Sequence, residues 1–541
     1  MRYIFSKRKV ELALPDFSSI QLESFEWLKN HGILNVLDEL GTINDVSGRG
    51  WILTLSNPVI GKENLSIPDA IHSGRTYDAP WYITAVVRDP LLKKEKKQEI
   101  YMGDIPLMTS KGTFVVNGVE RVMVNQLIRS EGVLFTGEES PVTGQMLAGA
   151  KVLPKNGVWL ELETSRNGVI SAKIDRKRKM TITTILRVFG LEKDDDIRAA
   201  FKDIKKTSEV DYIEATLTKD PSSSYDEAAI EIYRKMRPGE PLVLENARSL
   251  VKSMFFNKRR YSLGEVGRFK LNHVLGLNFP NEPEHRLIQL EDLIKIISRI
   301  IAINDGKDTI SDVDHLSNRR VRSVGELLHL QIRHGFLQME RNIKEKMSLS
   351  PREVLPEPST LISPRTVASK IHSFFATGQL SQFQDQQNPL TALEHLRRLS
   401  VMGPGGLTKE RASFAVRDVH YSSFGRICPV RTPEGPSVGL INYLATYAKV
   451  NKYGFLETPY VKLEKTSDGR VKLTNEVKYM AAYEEEKHNI TDASISLDEN
   501  GFITQAQVPL RKGGTFILGD VKNADYIELV PRQIVGLSAG L

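Results

Sequence analysis

Residues 374–441 read FFATGQLSQFQDQQNPLTALEHLRRLSVMGPGGLTKERASFAVRDVHYSSFGRICPVRTPEGPSVGLI, and the rest of the chain is read around them. Gln379, Gln382, Gln384, Gln386, Gln387 and Asn388 place six side-chain amides within ten residues. Each offers both a donor and an acceptor, which suits sugar hydroxyls and base edges. Asn388 before Pro389 has the form of a helix start, cap then first turn. The following LTALEHLRRL predicts a helix with Leu390, Leu393 and Leu396 turned inward and His395 facing Arg398 and Leu399. Gly403-Pro404-Gly405-Gly406 ends it. This turn is not a phosphate-cradling P-loop, because Leu407-Thr408 stands where Lys-Ser/Thr is required. Lys409-Glu410-Arg411 and Arg417-Asp418 then make a charged loop, and Pro433-Glu434-Gly435-Pro436 is a second rigid turn. A stretch so polar and so broken has poor prospects as core, and polar loops on a rigid scaffold are where binding and chemistry sit. It is the functional centre of this reading.

Outward from it, 541 residues are too many for one core and predict three or four domains, some of them discontinuous. With 40% hydrophobic and 26% charged residues, the composition is that of a globular protein rather than a disordered or membrane one. No apolar run reaches the roughly 18 residues of a membrane span, and the opening MRYIFSKRKV lacks a signal peptide's apolar run and cleavage site. The expected compartment is the cytoplasm. The single cysteine, Cys428, excludes an intrachain disulfide and a cysteine-rich zinc site, and reads as a small, partly buried hydrophobe. Net charge is +7, which fits a polyanion partner without requiring one. The basic clusters are Arg176-Lys177-Arg178-Lys179, Lys258-Arg259-Arg260, Arg319-Arg320-Val321-Arg322 and Arg397-Arg398.

Along the chain, Ser18 to Leu28 predicts a short helix. WILTLSNPVI and WYITAVV predict short antiparallel strands, and GTFVVNGVERV predicts a hairpin turning at Asn117-Gly118. VWLELET and GVISAKI predict two more strands joined at Arg166-Asn167-Gly168, followed by helices in TITTILRVFGL and IRAAFKDI. Asp194-Asp195-Asp196 sits at a helix start and reads as cap and dipole partner rather than metal site. FFNKRRYSLGEVGRFKLN sets aromatics beside five basic side chains; a nucleic-acid surface and a solvated helix face with buried rings both account for it. LIQLEDLIKIISRIIAI, residues 287–303, predicts a buried amphipathic helix. DVDHLSNRRVRSVGELLHLQIRHGFLQMER predicts a loop opening a helix. Its arginines suit bidentate contacts to phosphate or carboxylate, and salt bridges to Asp312, Asp314 and Glu326 are the other reading. From Tyr460 onward VKLEKTSDGRVKL and GFITQAQVPL predict a small β-rich domain. The fold class is α+β, multidomain, with mixed helices and antiparallel sheets.

No catalytic triad, HExxH or Asp-x-Asp-x-Asp cluster is present. From the residues alone the chain is a multidomain polyanion binder with a preformed polar site.

The stretch GQLSQFQDQQNPLTALEHLRRLSVMGPGGLTKERASFAVRDVH…GRICPVRTPEGPSVGLI resembles the fork region and rifamycin pocket of the bacterial DNA-directed RNA polymerase β subunit. YMGDIPLMTSKGTFVVNGVERV, IDRKRK, YRKMRPGEP, LSNRRVRSVGE and YGFLETPY resemble the same family in the same order, so the likeness runs from about Pro15 to the last residue. It implies a protrusion in two segments, 1–120 and 311–370, a lobe at 121–310, a fork and rifamycin-pocket region at 371–455, and a β-rich external module with the truncated start of the next domain at 456–541. It implies a subunit of a nucleotidyltransferase, with this chain inactive by itself, forming one wall of the DNA cleft and the fork and RNA-hybrid path. Carried over residue by residue, Gln382, Pro433 and Glu434 lie on the RNA path. Gln382, Phe383, Asp385, His395, Arg398, Ser400, Pro433, Ser437 and Ile441 line the pocket, and Lys409, Arg411 and Arg417 face DNA or nucleotide. Arg176, Arg178, Arg319, Arg320 and Arg322 are basic cleft candidates. No cofactor is implied on this chain; Mg2+ belongs to the assembled enzyme, held by the beta-prime subunit. The implied partners are template DNA, nascent RNA and the alpha, beta-prime, omega and sigma subunits, with no membrane.

The sequence departs from the family pattern at Ser437 for Asn, Met402 for Leu, Leu396 for Lys and Glu131 for Pro, which implies weakened rifamycin binding. Members of the family continue for several hundred residues more, so the resemblance implies either a fragment or a split gene whose second polypeptide, the C-terminal part of β, completes the subunit. A freestanding, non-catalytic nucleic-acid-binding protein on the same fold is the alternative reading.

Overall fold

The structure is a computed structural model that describes residues 12–45, 47–48, 50–90, 93–141, 144–176, 178–202, 210–351, 354–466 and 468–540. The opening residues 1–11, Lys177 of the first basic cluster, Asp203 and Ile204 of a predicted helix, Ser467 and Leu541 lie outside these. The chain forms two compact units, Met1–Ile128 with Asp314–Leu541, and Arg129–Val313. Helices and mostly antiparallel sheets occur in both, an α+β architecture.

In the first unit a four-stranded antiparallel sheet runs in chain order through Thr42–Asn44, Ile52–Ile60, Asp78–Asp89 and Lys94–Pro106. Asp78–Asp89 alternates buried and half-buried positions along most of its length, the period-2 signature of a sheet with one face on a core. That core is supplied by the long helix Val324–Leu349, whose Leu328, Ile332, Phe336, Met339, Ile343 and Met347 fall on one stripe and are buried. Helix Arg365–Thr377 crosses it closely. A Cβ at Gly335 would sit 2.9 Å from Val367 Cα, so glycine permits the approach. The predicted hairpin forms between Phe114–Val116 and Val119–Met123, with Asn117 and Gly118 both at positive φ, as a two-residue type I′ turn requires.

Two small sheets then carry the polar stretch. One runs Arg319–Arg322, Asn125–Arg129, Arg398–Ser400, Ile441–Tyr443, and the other Ser381–Phe383, Val119–Met123, Phe114–Val116. Beyond them a β-rich module builds around the paired strands Leu456–Lys465 and Val471–Ala481, over a core of Val461, Leu463, Val471, Val508, Leu510 and Ile527.

The second unit is a five-stranded antiparallel sheet in the order Met180–Thr181, Ile170–Ile174, Leu160–Thr164, Met146–Leu153, Gly132–Glu139. Helix Leu290–Asn304 packs on it through Leu293, Ile296, Ile297, Ile300 and Ile301, as the apolar spacing predicts. The Asp194-Asp195-Asp196 run opens helix Asp194–Ala200. Asp194 pairs with Arg187, Asp195 with Arg198, and Asp196 accepts from the Lys193 backbone N–H, which is the cap and dipole role. Cys428 is buried. Among the described residues no helix is long and apolar enough to cross a membrane.

Candidate nucleic-acid interface

Strand Ser381–Phe383 adds to the edge of the hairpin, with Gln382 opposite Val122 and Phe383 opposite Arg121. Strand alternation sends these two side chains to opposite faces. The Phe383 ring is 63% exposed, and the Arg121 guanidinium lies 4.4 Å from its centroid. Asn388 caps the next helix as predicted, its Oδ1 accepting from Thr391 N at 2.9 Å.

The helix is shorter than LTALEHLRRL predicts. It ends at Leu396, and Arg398–Ser400 is a strand, parallel to Asn125–Arg129 and antiparallel to Ile441–Tyr443. Local propensity favours continuing the helix; pairing with two strands distant in sequence overrides it. The inward stripe is corrected too. Leu393 is exposed, and the buried face is Glu394, His395 and Leu396. Arg397, fully inside, donates to Ala445 O at 2.6 Å, and burial lowers its guanidinium to about 10.

His395 and Arg398 therefore do not meet along a helix. They converge on Gln382: His395 Nε2 lies 3.1 Å, and Arg398 Nη1 3.0 Å, from Gln382 Oε1. The other imidazole nitrogen, Nδ1, accepts the Asp385 backbone N–H at 3.2 Å. Asp385 Oδ1 in turn accepts from Gln387 N and Thr391 Oγ1, which closes the loop back onto the helix start. Burial, then the Arg398 charge, push His395 down to about 4 against the pull of Asp385, so the ring is neutral at ordinary pH. Gln382, Asp385, His395 and Arg398 thus form one connected cluster.

Ser400 is buried and faces Ile441 across the strand pair; its Oγ accepts from Met402 N at 3.2 Å. Arg398 and Arg431 each lie 5.4 Å from the Tyr443 ring. Pro433 and Ser437 are half-buried and Glu434 is exposed, at the turn Gly435–Ser437. Lys409 and Arg411 are exposed on their own short turn. Arg417 is engaged in the fold: Nη1 donates to Pro436 O and Val438 O, and Nη2 to Lys409 O, tying the two loops together. Gly439, at φ +71°, lets this happen, because a Cβ there would fall 2.4 Å from Arg417 O.

Of the basic candidates, Arg320 is buried and bidentate to Glu326 at 2.6 and 2.5 Å, and Arg322 pairs with the same carboxylate at 3.3 Å. The salt-bridge reading holds for both. Arg319, on the same strand, is half-buried. In the second unit Arg178 is exposed, and Arg176 lies 5.4 Å over the indole of Trp159. Trp159 is itself 39% exposed, and its backbone N–H donates to Asp175 Oδ1 at 2.8 Å.

Trp159 escaped the sequence reading, although a tryptophan in an alternating strand opposite a basic turn was the available signal. Also missed are three buried amides that hold the backbone of the polar stretch. Gln21 donates to Met123 O and Leu396 O, Asn125 to Leu396 O and Arg398 O, and Gln126 to Met402 O and Pro404 O. All three lie far from it in sequence.

Three families match the chain: RNA polymerase Rpb2, domain 2, over residues 129–322; RNA polymerase Rpb2, domain 3, over 382–450; and the RNA polymerase beta subunit external 1 domain over 460–529. The first starts where the second compact unit starts. Among curated relatives, the DNA-directed RNA polymerase subunit beta of Syntrophomonas wolfei is 42% identical over 100% of this chain and 48% of its own length. Proteins of the same description from Nostoc sp. and Dehalococcoides mccartyi are 42% and 40% identical, over 100% and 98% of this chain and 47% and 45% of theirs. The chain spans about half the length of the relatives it matches. With domain matches in both units and such identity along the whole of its length, the chain belongs to the DNA-directed RNA polymerase β-subunit family.

Proposed function

We propose that the chain supplies part of the β subunit of a DNA-directed RNA polymerase, forming one wall of the DNA cleft and the fork beside the RNA–DNA hybrid. The observation that carries this is the preassembled cluster of Gln382, Asp385, His395 and Arg398, with the exposed Phe383 ring and the exposed Lys409 and Arg411 on one short turn. Neutral amides and rings address sugars and bases, and cations at a loop tip address phosphates. Such groups position a nucleic acid and perform no bond-making step. Among the described residues no group of three or more His, Cys, Asp or Glu could hold a metal ion. The family resemblance is what assigns the Mg2+ that supports nucleotidyl transfer to a beta-prime partner, and the remaining assembly to alpha, omega, sigma and the rest of β. Co-expression with those polypeptides tests it. Template-dependent RNA synthesis that requires this chain is the expected result; a chain that stays monomeric in their presence overturns the proposal.

In the second unit, Trp159 under Arg176 is a platform for base stacking. Trp159→Ala is expected to weaken DNA binding by the assembled enzyme roughly 5- to 100-fold, the range for loss of one stacked base. Trp159→Phe should recover most of it. Equal affinities for all three proteins in a titration at fixed salt would remove Trp159 from the interface.

A further inference from the structure

The orientation of the Gln382 amide is set by chemistry rather than by choice. Arg398 can only donate, so the Gln382 atom 3.0 Å from its Nη1 is the oxygen. The Asp385 backbone N–H can only donate, so His395 Nδ1 is the bare nitrogen and Nε2 carries the proton, which it gives to the same oxygen. Turning the amide over would put its NH2 against two donors at once. Gln382 Nε2 has no acceptor among the described residues and is not among the enclosed, unpaired polar atoms, so it opens to solvent. His395 is only 3% exposed, with both ring nitrogens engaged, so it meets no ligand itself.

We infer that His395 is a positioning residue that locks Gln382 as a one-way hydrogen-bond donor, so that this point of the site takes an acceptor oxygen of a nucleic acid and refuses donor groups. The inference rests on the nucleic-acid reading of the cluster and adds its polarity. Two sources present such an oxygen, a phosphate and a base carbonyl. The geometry asks only for the oxygen.

The test uses the assembled polymerase carrying variants of this chain, with the dissociation rate of a bound RNA–DNA hybrid and thermal stability read together. Glu in place of Gln382 still offers one oxygen to His395 and Arg398 but turns a second oxygen outward where the donor was. Q382E is therefore expected to keep or raise the melting temperature while releasing the hybrid about tenfold faster. His395→Gln preserves a donor toward Gln382 and should release at close to the parental rate. His395→Asn accepts the Asp385 N–H but falls short of Gln382, and should release faster. A single methylphosphonate linkage, moved along the RNA, separates the sources. If a phosphate oxygen is the acceptor, the Q382E effect disappears at one position; if a carbonyl is, it persists at all. Parental release by Q382E, while a Lys409→Ala, Arg411→Ala double variant speeds release, overturns the lock and leaves the nucleic-acid reading standing. No change in any of these proteins overturns the reading itself.

Discussion

Glu485→Ala is expected to destabilise the junction between residues 422–426 and the β-rich module by about 4 kcal/mol, because it leaves two buried guanidinium groups without their shared counter-charge. Arg426 is fully buried. It donates to Leu456 O, Ser422 O and Met480 O, and its Nη2 makes a close ion pair with Glu485 Oε2 at 2.5 Å. Arg511 meets the other carboxylate oxygen through Nη1, donates from Nη2 to Tyr460 OH, and lies 4.1 Å over the Phe424 ring. Burial by itself would raise the Glu485 carboxyl; the Arg426 and Arg511 charges outweigh it and hold it below the ordinary value. Its contribution is therefore present above the unfolded pKa and fades only as pH falls through the folded one. Differential scanning calorimetry should show the module's transition lowered by on the order of 10 °C. An unshifted transition would mean that water reaches the pair and screens it.

The same network holds a carboxyl shifted in the opposite direction. Burial pushes Glu528 up to about 7, against the pull of Arg511 at 3.6 Å. A raised carboxyl favours the folded state below its unfolded pKa and loses that contribution as pH climbs through 7. Glu528→Gln should flatten the decline in stability between about pH 5 and pH 8, while leaving the Glu485 effect in place.

What could be read in advance follows from range. The Asn117-Gly118 hairpin and the helix within 287–303 are written in neighbouring residues, since one depends on two backbone dihedrals and the other on a stripe of apolar side chains. The polar stretch stood out as a candidate site because it lacks what a core needs. Its internal geometry was not, because the end of the helix at Leu396 depends on strands 125–129 and 441–443, which no local window contains. Arginine clusters mislead for a related reason. Arg320 and Arg268 look like surface charge in sequence and are buried against single carboxylates in the fold. Only the fold can say which acid they face.

Arg268 supplies the other large effect. Its guanidinium meets Asp292 end on, Nη1 to Oδ1 at 2.8 Å and Nη2 to Oδ2 at 2.9 Å, with both side chains fully buried. Nε donates to His285 O at 2.5 Å and Nη2 to Leu287 O at 2.6 Å, so the arginine also holds the loop entering the central helix of the second unit. Asp292 Oδ2 accepts the Gln289 N–H at 2.8 Å, within the first turn of that helix, where a carboxylate also suits the helix dipole. Asp292→Ala thus removes a cap and strands a buried cation together, and a loss of about 4 to 5 kcal/mol is expected. Urea titration followed by circular dichroism should show the midpoint of the unit's transition falling with the slope unchanged. Arg268→Met with Asp292→Leu should recover a large part of that loss, since the cost of a broken buried pair is mostly the orphaned charge. The cap remains missing in the double variant, so recovery should stop about 1 kcal/mol short. A double variant as unstable as Asp292→Ala would instead mean that the arginine's two carbonyl contacts, rather than its charge, hold the loop to the helix.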